Sequence, residues 1–240
     1  MKEKIVVQII AIIVLGAAGA FVFQALIFPW MLSDQYFERF EFIKSFKEGK
    51  IVINPKEQIY IQENIALVSS IEKIEKSVAG ILVEKGKTVV SGTGFVITSD
   101  GLIITIADLV PIGAKITVFL QGEQFSPAIL KRDSANNLVL LKIEKTGLAT
   151  VGFFDFEKIK LGQRVFLAGK NPKTLGTSVN EGIIKYFNND IIATNITDSS
   201  YFKGGPLFNI EGRLVGINTV DSGGEVFSIS VKKVKTFAGF

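Results

Sequence analysis

Ser199 and Ser200 stand four and three residues before Lys203. A serine hydroxyl beside a lysine amine is a nucleophile–base pair that works without imidazole. That matters here because the 240-residue chain has no histidine and no cysteine. The first absence removes the imidazole base of Ser-His-Asp chemistry and every His-ligated metal. The second removes thiol nucleophiles, thiolate-held metals or clusters, and disulfides. Asp, Glu, Lys, Tyr, Ser and Thr remain. The spacing of Ser199, Ser200 and Lys203 matches no established dyad, and the two hydroxyls read instead as caps of backbone groups in a loop. Asp221 and Glu225 read as solvated turn charges. Gly223-Gly224 lacks the Lys-Ser/Thr that a phosphate loop requires. No cofactor and no metal is expected.

Charge adds little. Lys plus Arg is 27 against 23 Asp plus Glu, a net +4, and no basic run points to nucleic acid.

The elements that would position these residues fall into three zones. Ile5 to Phe28 is apolar apart from Gln8 and Gln24. As a helix it spans about 36 Å, enough to cross a hydrocarbon layer of about 30 Å. Lys2 and Lys4 precede it, and Pro29 and Trp30 close it. The basic flank keeps residues 1–4 in the cytoplasm, so the remainder lies outside a plasma (inner) membrane crossed once. Ala18-Gly19-Ala20 resembles a signal-peptide cleavage site, but the apolar run continues beyond it.

Residues 29–78 form a helical connection. Leu32, Tyr36, Phe40, Ile43 and Phe46 predict one amphipathic helix stopped at Gly49. It packs on its own chain or touches a membrane surface or a second copy. A linker at Asn54-Pro55 follows. Ile65, Val68, Ile71, Ile74 and Val78 then predict a second helix.

From Ala79 the pattern becomes short apolar runs between turn residues, with Asp100-Gly101 as a hairpin signal. About a dozen such strands indicate an all-β sandwich or barrels.

Four stretches carry a resemblance: SGTGFVITSDGLIITIADLV from Ser91 to Val110, RDSANNLVLLKIE, LGQRVFLAGKNPKTLGTSVNEGII, and TDSSYFKGGPLFNIEGRLVGINT. In this order they resemble the trypsin-like serine proteases of the HtrA/Deg (DegP/DegS-like) family. The resemblance implies two six-stranded trypsin-like β-barrels with a cleft between them. Their expected extents are 79–157 and 158–240, with no PDZ domain after them.

The resemblance also places the family's catalytic positions. Its histidine falls on Asp108, its aspartate on Asn137 and its serine on Lys203. A glycine of its oxyanion hole falls on Tyr201. None of the three triad roles is filled in place. The expectation is an inactive homologue that binds peptide or protein, or acts as a scaffold or regulator, alone or in an oligomer with an active relative. A residual hydrolase with non-standard residues and a purely structural membrane domain are the alternatives. Asp108 and Lys203 bring opposite charges to the old site. They either pair across it or point to solvent independently.

Overall fold

The computed structural model describes residues 12, 14–40 and 55–240. The chain divides into two compact units, Met1–Tyr60 and Ile61–Phe240.

In the first unit, helix α1 runs over residues 14–33. Its stretch Val14–Met31 is long and apolar enough to cross a membrane, and none of it is buried in the protein. Residues 5–11 and 13 of the predicted span lie outside the described residues. At its other end the helix continues past Phe28 and Pro29. The reason is a π-turn at Phe23–Ile27, in which the Phe28 N–H donates to the Phe23 carbonyl. That wider turn tolerates the N–H that Pro29 cannot supply.

The amphipathic helix predicted from Leu32 does not run on as one piece. Asp34 is extended (φ −95°, ψ 125°) and starts a separate 3-10 turn, Gln35–Arg39. Its carboxylate accepts the Tyr36 N–H at 2.9 Å. A side chain that caps the next turn competes with helix continuation. Ile43, Phe46 and Gly49 lie outside the described residues.

Helix α2, Pro55–Ile74, opens on the proline assigned to a linker, since proline suits a first helical position. Its inward stripe matches the predicted one only at its C-terminal half. Leu67, Ile71 and Ile74 pack on the core, while Ile65 and Val68 are exposed. Ser70 Oγ donates to the Ile210 carbonyl at 2.8 Å, which fixes that face. Val78 is already strand.

The first sheet contains β1 (Val78–Lys85), β2 (Thr88–Val96), β3 (Leu102–Ile106), β4 (Lys115–Leu120), β5 (Glu123–Phe125), β6 (Ala128–Asp133) and β7 (Leu138–Lys142). Their order is β5-β4-β1-β2-β3-β7-β6. The outermost strands, β5 and β6, are consecutive in sequence with only Ser126 and Pro127 between them. The sheet must therefore curl until its edges meet at that link. No ladder joins those edges, so it is a half-barrel rather than a closed one.

The second sheet contains β8 (Gly152–Phe153), β9 (Arg164–Lys170), β10 (Thr177–Phe187), β11 (Ile191–Thr197), β12 (Pro206–Asn209), β13 (Arg213–Val220) and β14 (Glu225–Ser230). Pairing of β12 with both β9 and β13 closes six strands into a barrel. Strand β8 pairs in parallel with β13, so the second sheet begins before residue 158. The expected pair of barrel-like sheets is present, with one barrel closed and one open.

Buried apolar side chains fill both, and β3, β7, β9 and β12 are buried along nearly their whole length. Phe166, Ala168, Phe208 and Leu214 of the second sheet join the core of the first. After β14 comes helix α3, Val231–Ala238, which the strand reading missed. Val231, Val234 and Phe237 are its buried face, and Gly239 caps it in the left-handed conformation (φ 85°).

Candidate functional site

Asp108 is the exposed tip of a single 3-10 turn, Ala107–Leu109, directly after β3. Ala107 and Leu109 are buried and anchor the turn on either side. Facing it, Asn137 precedes β7 in the left-handed region (φ 56°), where asparagine is better tolerated than most residues. Three bonds join them. The Ala107 N–H donates to the Asn137 carbonyl at 3.2 Å. The Asp108 N–H donates to Asn137 Oδ1 at 2.9 Å, and Asn137 Nδ2 donates to Asp108 Oδ2 at 2.8 Å. Only one orientation of the amide satisfies both groups of Asp108. The Arg132 guanidinium completes the clamp by donating to the carbonyls of Ala107 and Val110.

The approach to Asn137 is organised by Asp133. Its carboxylate accepts the Asn136 N–H at 3.0 Å and Asn136 Nδ2 at 2.7 Å. Those bonds, the side-chain one foremost, hold its carboxyl below the usual value of 3.8. Asp100, in the β2–β3 turn, is lowered chiefly by the Thr98 hydroxyl and, less, by Lys142.

Lys203 and Tyr201 lie on the opposite wall. Ser200–Phe202 is a 3-10 turn, and Lys203 ends it. Its backbone donors turn inward. The Phe202, Lys203 and Gly205 N–H groups donate to the carbonyls of Ser199, Ser200 and Phe202, at 3.2, 3.1 and 3.0 Å. The Gly204 N–H donates to Asn218 at 2.8 Å. An oxyanion hole needs two such donors aimed together at an open point. Tyr201 has an ordinary negative φ and stacks on Phe202, ring centroids 4.5 Å apart. Phe202 is buried and packs where Gly169 leaves room.

Gly204 is a position only glycine can hold. Its φ is +77°, and an added Cβ would strike Thr105 Oγ1 and lie 2.5 Å from the Thr93 carbonyl.

The two walls meet at Gly92 and Thr93. A Cβ on Gly92 would collide with the Leu109 side chain and sit 2.8 Å from the Lys203 carbonyl. Thr93 is fully buried. Its N–H donates to the Lys203 carbonyl at 2.9 Å. Its hydroxyl donates to the Tyr201 carbonyl at 2.8 Å and accepts the Lys170 N–H at 3.1 Å. Its own carbonyl accepts the Thr105 hydroxyl at 2.8 Å. Sequence reasoning missed Thr93. The available signal was a threonine between two glycines in a strand.

The predicted site residues are thus brought together in part. Asp108 and Asn137 form a reciprocal pair. Asp108 and Lys203 form no ion pair among the described residues, and the Asp108 carboxylate instead accepts the Asn137 amide. The Lys203 ammonium has no hydrogen-bond partner among those residues. No hydrogen bond joins it to Ser199 or Ser200 there. The Ser199 hydroxyl instead donates to Asp198 at 3.2 Å. Asp221 is a turn residue, accepting the N–H groups of Gly223 and Glu225. Among the described residues no three metal-ligating side chains converge.

A concavity of about 410 Å³ includes Asp133 and Asn136 in its lining but none of Asp108, Asn137, Tyr201 or Lys203. Its lysines are satisfied internally: Lys131 by the Phe237 carbonyl at 2.8 Å, Lys232 by Asn189 at 3.3 Å, and Lys233 by Asp190 at 3.0 Å.

Two packed β-sheets, one a closed six-stranded barrel, with a glycine-shaped turn at their junction, define a trypsin-like architecture. The family model for the trypsin-like peptidase domain matches residues 92–217, just over half of the chain, and the chain belongs to that family. Among curated proteins it is similar to a "Probable periplasmic serine endoprotease DegP-like" of Rhizobium meliloti, 35% identical over 148 residues. That match covers 56% of this chain and 29% of the relative. A protein of the same name from Halomonas elongata is 34% identical over 137 residues, covering 53% and 29%. The chain thus spans less than a third of the length of these relatives. The crystal structure of the serine endoprotease from Yersinia pestis shares the fold, with a TM-score of 0.66 at 24% identity over 72% of this chain and 65% of that one. The HtrA/Deg resemblance read from four sequence segments holds.

Proposed function

We propose that this chain is a membrane-tethered, extracytoplasmic trypsin-like domain that binds peptide or protein segments without hydrolysing them, as a scaffold or regulator. The observation that carries the reading is the Asp108–Asn137 pair. At the positions where the family resemblance puts an imidazole and its orienting carboxylate, the carboxylate and the amide satisfy each other. A chain with no histidine offers no base in that place. The inward-turned N–H groups of Phe202, Lys203 and Gly205 support the same reading, since they leave few donors for a developing oxyanion.

Binding is supported by the open sheet. Strand β6 is an edge strand that exposes Ile129 and Leu130, and an extended peptide can add to such an edge. The tether is supported by Val14–Met31 and by Lys2 and Lys4 before it, which favour a single-pass anchor in the inner membrane with the N-terminus inside. The periplasmic names of the relatives agree with a β-domain outside the cytoplasm. Assembly with further copies or with an active relative fits a scaffolding role.

The endoprotease names of those relatives favour a second reading, residual hydrolysis through Ser200 or Lys203. A turnover assay on the full chain with casein and a peptide library separates the two. We expect no cleavage above the enzyme-free blank. Cleavage that disappears in Ser200→Ala or Lys203→Ala would establish the hydrolase. The combined change Asp108→His, Asn137→Asp, Lys203→Ser is expected to restore little, because Tyr201 and the inward N–H groups remain.

A further inference from the structure

Four aromatic side chains gather at the end of the apolar helix and just beyond it. Phe37 is the hub. Its ring meets Trp30 edge-on at 5.5 Å, Tyr36 edge-on at 5.6 Å and Phe40 at 6.4 Å. The outer three are open to the surroundings: Trp30 is 57% exposed, Tyr36 61% and Phe40 47%. The Arg39 guanidinium lies 4.1 Å from the Tyr36 ring centroid and 5.1 Å from that of Phe40. It also donates to the Tyr36 hydroxyl at 2.8 Å. In water this is a costly display of apolar surface. At a lipid headgroup boundary it is favourable, because indole and phenol rings have an apolar body and a polar tip.

The backbone holds the cluster at one level. Continued as helix, the chain would rise about 10 Å between residues 30 and 37. The break at Asp34 and the ring contact between Trp30 and Phe37 keep Phe37 beside the end of the helix.

We infer that residues 30–40 form an aromatic collar lying within the headgroup layer of a phospholipid bilayer, with Arg39 presented to lipid phosphates. The occupant follows from continuity with Val14–Met31, whose apolar length ends where the collar begins. The inference rests on the membrane-tether reading and deepens it. A simple anchor requires only that Trp30 be shallow. A collar requires residue 40 to be shallow as well.

The chain contains a single tryptophan, so its fluorescence reports one position. The full chain is reconstituted in phosphatidylcholine–phosphatidylglycerol vesicles carrying lipids brominated either near the headgroup or near the chain ends. A second protein, Trp30→Phe with Phe40→Trp, moves the reporter to position 40. Both reporters are expected to emit to the blue of tryptophan in water. Both should be quenched at least about twofold more by headgroup-proximal bromine. A position-40 reporter that is water-like and unquenched, in protein that floats with the vesicles, would overturn the collar and leave the tether standing. Protein that does not float with vesicles would overturn the tether and the collar together.

Discussion

Asn137 serves Asp108 with both ends of one amide, accepting at Oδ1 and donating at Nδ2. A carboxylate at 137 can reproduce only the first bond, and it would face the Asp108 oxygen at about the distance the amide now holds. Asn137→Asp is therefore expected to destabilise the β-domain by about 1–2 kcal/mol at pH 7. The sign with pH follows from like-charge repulsion. In the variant, protonating either carboxylate relieves the repulsion, so the loss is full well above the carboxyl range and shrinks as pH falls toward it. Denaturant unfolding of wild type and variant at pH 7 and pH 4 checks this; a loss that is equal at both refutes it. The opposite charges at 108 and 203 were plain in the sequence, but their pairing was not. An amide twenty-nine residues from Asp108 competes for the same carboxylate, and no one-dimensional pattern ranks those partners.

At the scale of elements, the turn after Lys203 depends on its glycines. Gly204 combines a left-handed φ with contact against Thr105 and Thr93, whereas Gly122 has a similar φ of +84° and open space around it. Gly122→Ala should cost about 1 kcal/mol, the conformational penalty alone. Gly204→Ala should cost about 3 kcal/mol or more, because the β2–β3 side of the junction must also move. Thermal or denaturant unfolding of the two variants measures the difference, and equal costs would show that the contact is not tight. Strands were the most legible elements, since apolar runs bounded by Asp100-Gly101 or Gly223-Gly224 mark their own ends. Helix faces were less legible. Of the predicted stripe, Ile71 and Ile74 pack on the core, joined by Leu67 and fixed by Ser70 against Ile210, while Ile65 and Val68 are exposed. Two rows of apolar residues on one helix cannot be told apart before the surface they meet is known. Helix α3 was overlooked although Val231, Val234 and Phe237 recur at helical spacing, because the preceding alternation of β14 runs directly into it.

For the whole molecule, Thr93 is the rivet. It is a residue of the first sheet whose N–H and hydroxyl engage Lys203, Tyr201 and Lys170 of the second. Thr93→Val keeps the shape but leaves the Lys170 N–H and the Tyr201 carbonyl without that hydroxyl. A loss of about 2–4 kcal/mol is expected, with both sheets melting in a single transition. Hydrogen exchange resolved along the chain provides the check, and a second sheet that keeps its protection while the first loses it would contradict it. The general outline of two sheets around a junction was readable from four sequence segments, while the asymmetry between them was not. It depends on which strands find a second neighbour, as β12 does and β5 and β6 do not. The Ser126-Pro127 link therefore has a cost outside the folded state. A single proteolytic nick there would untie two margins, β5 and β6, that already lack an outer neighbour. Each margin would then be freer to exchange strands with another copy, across one exposed connection.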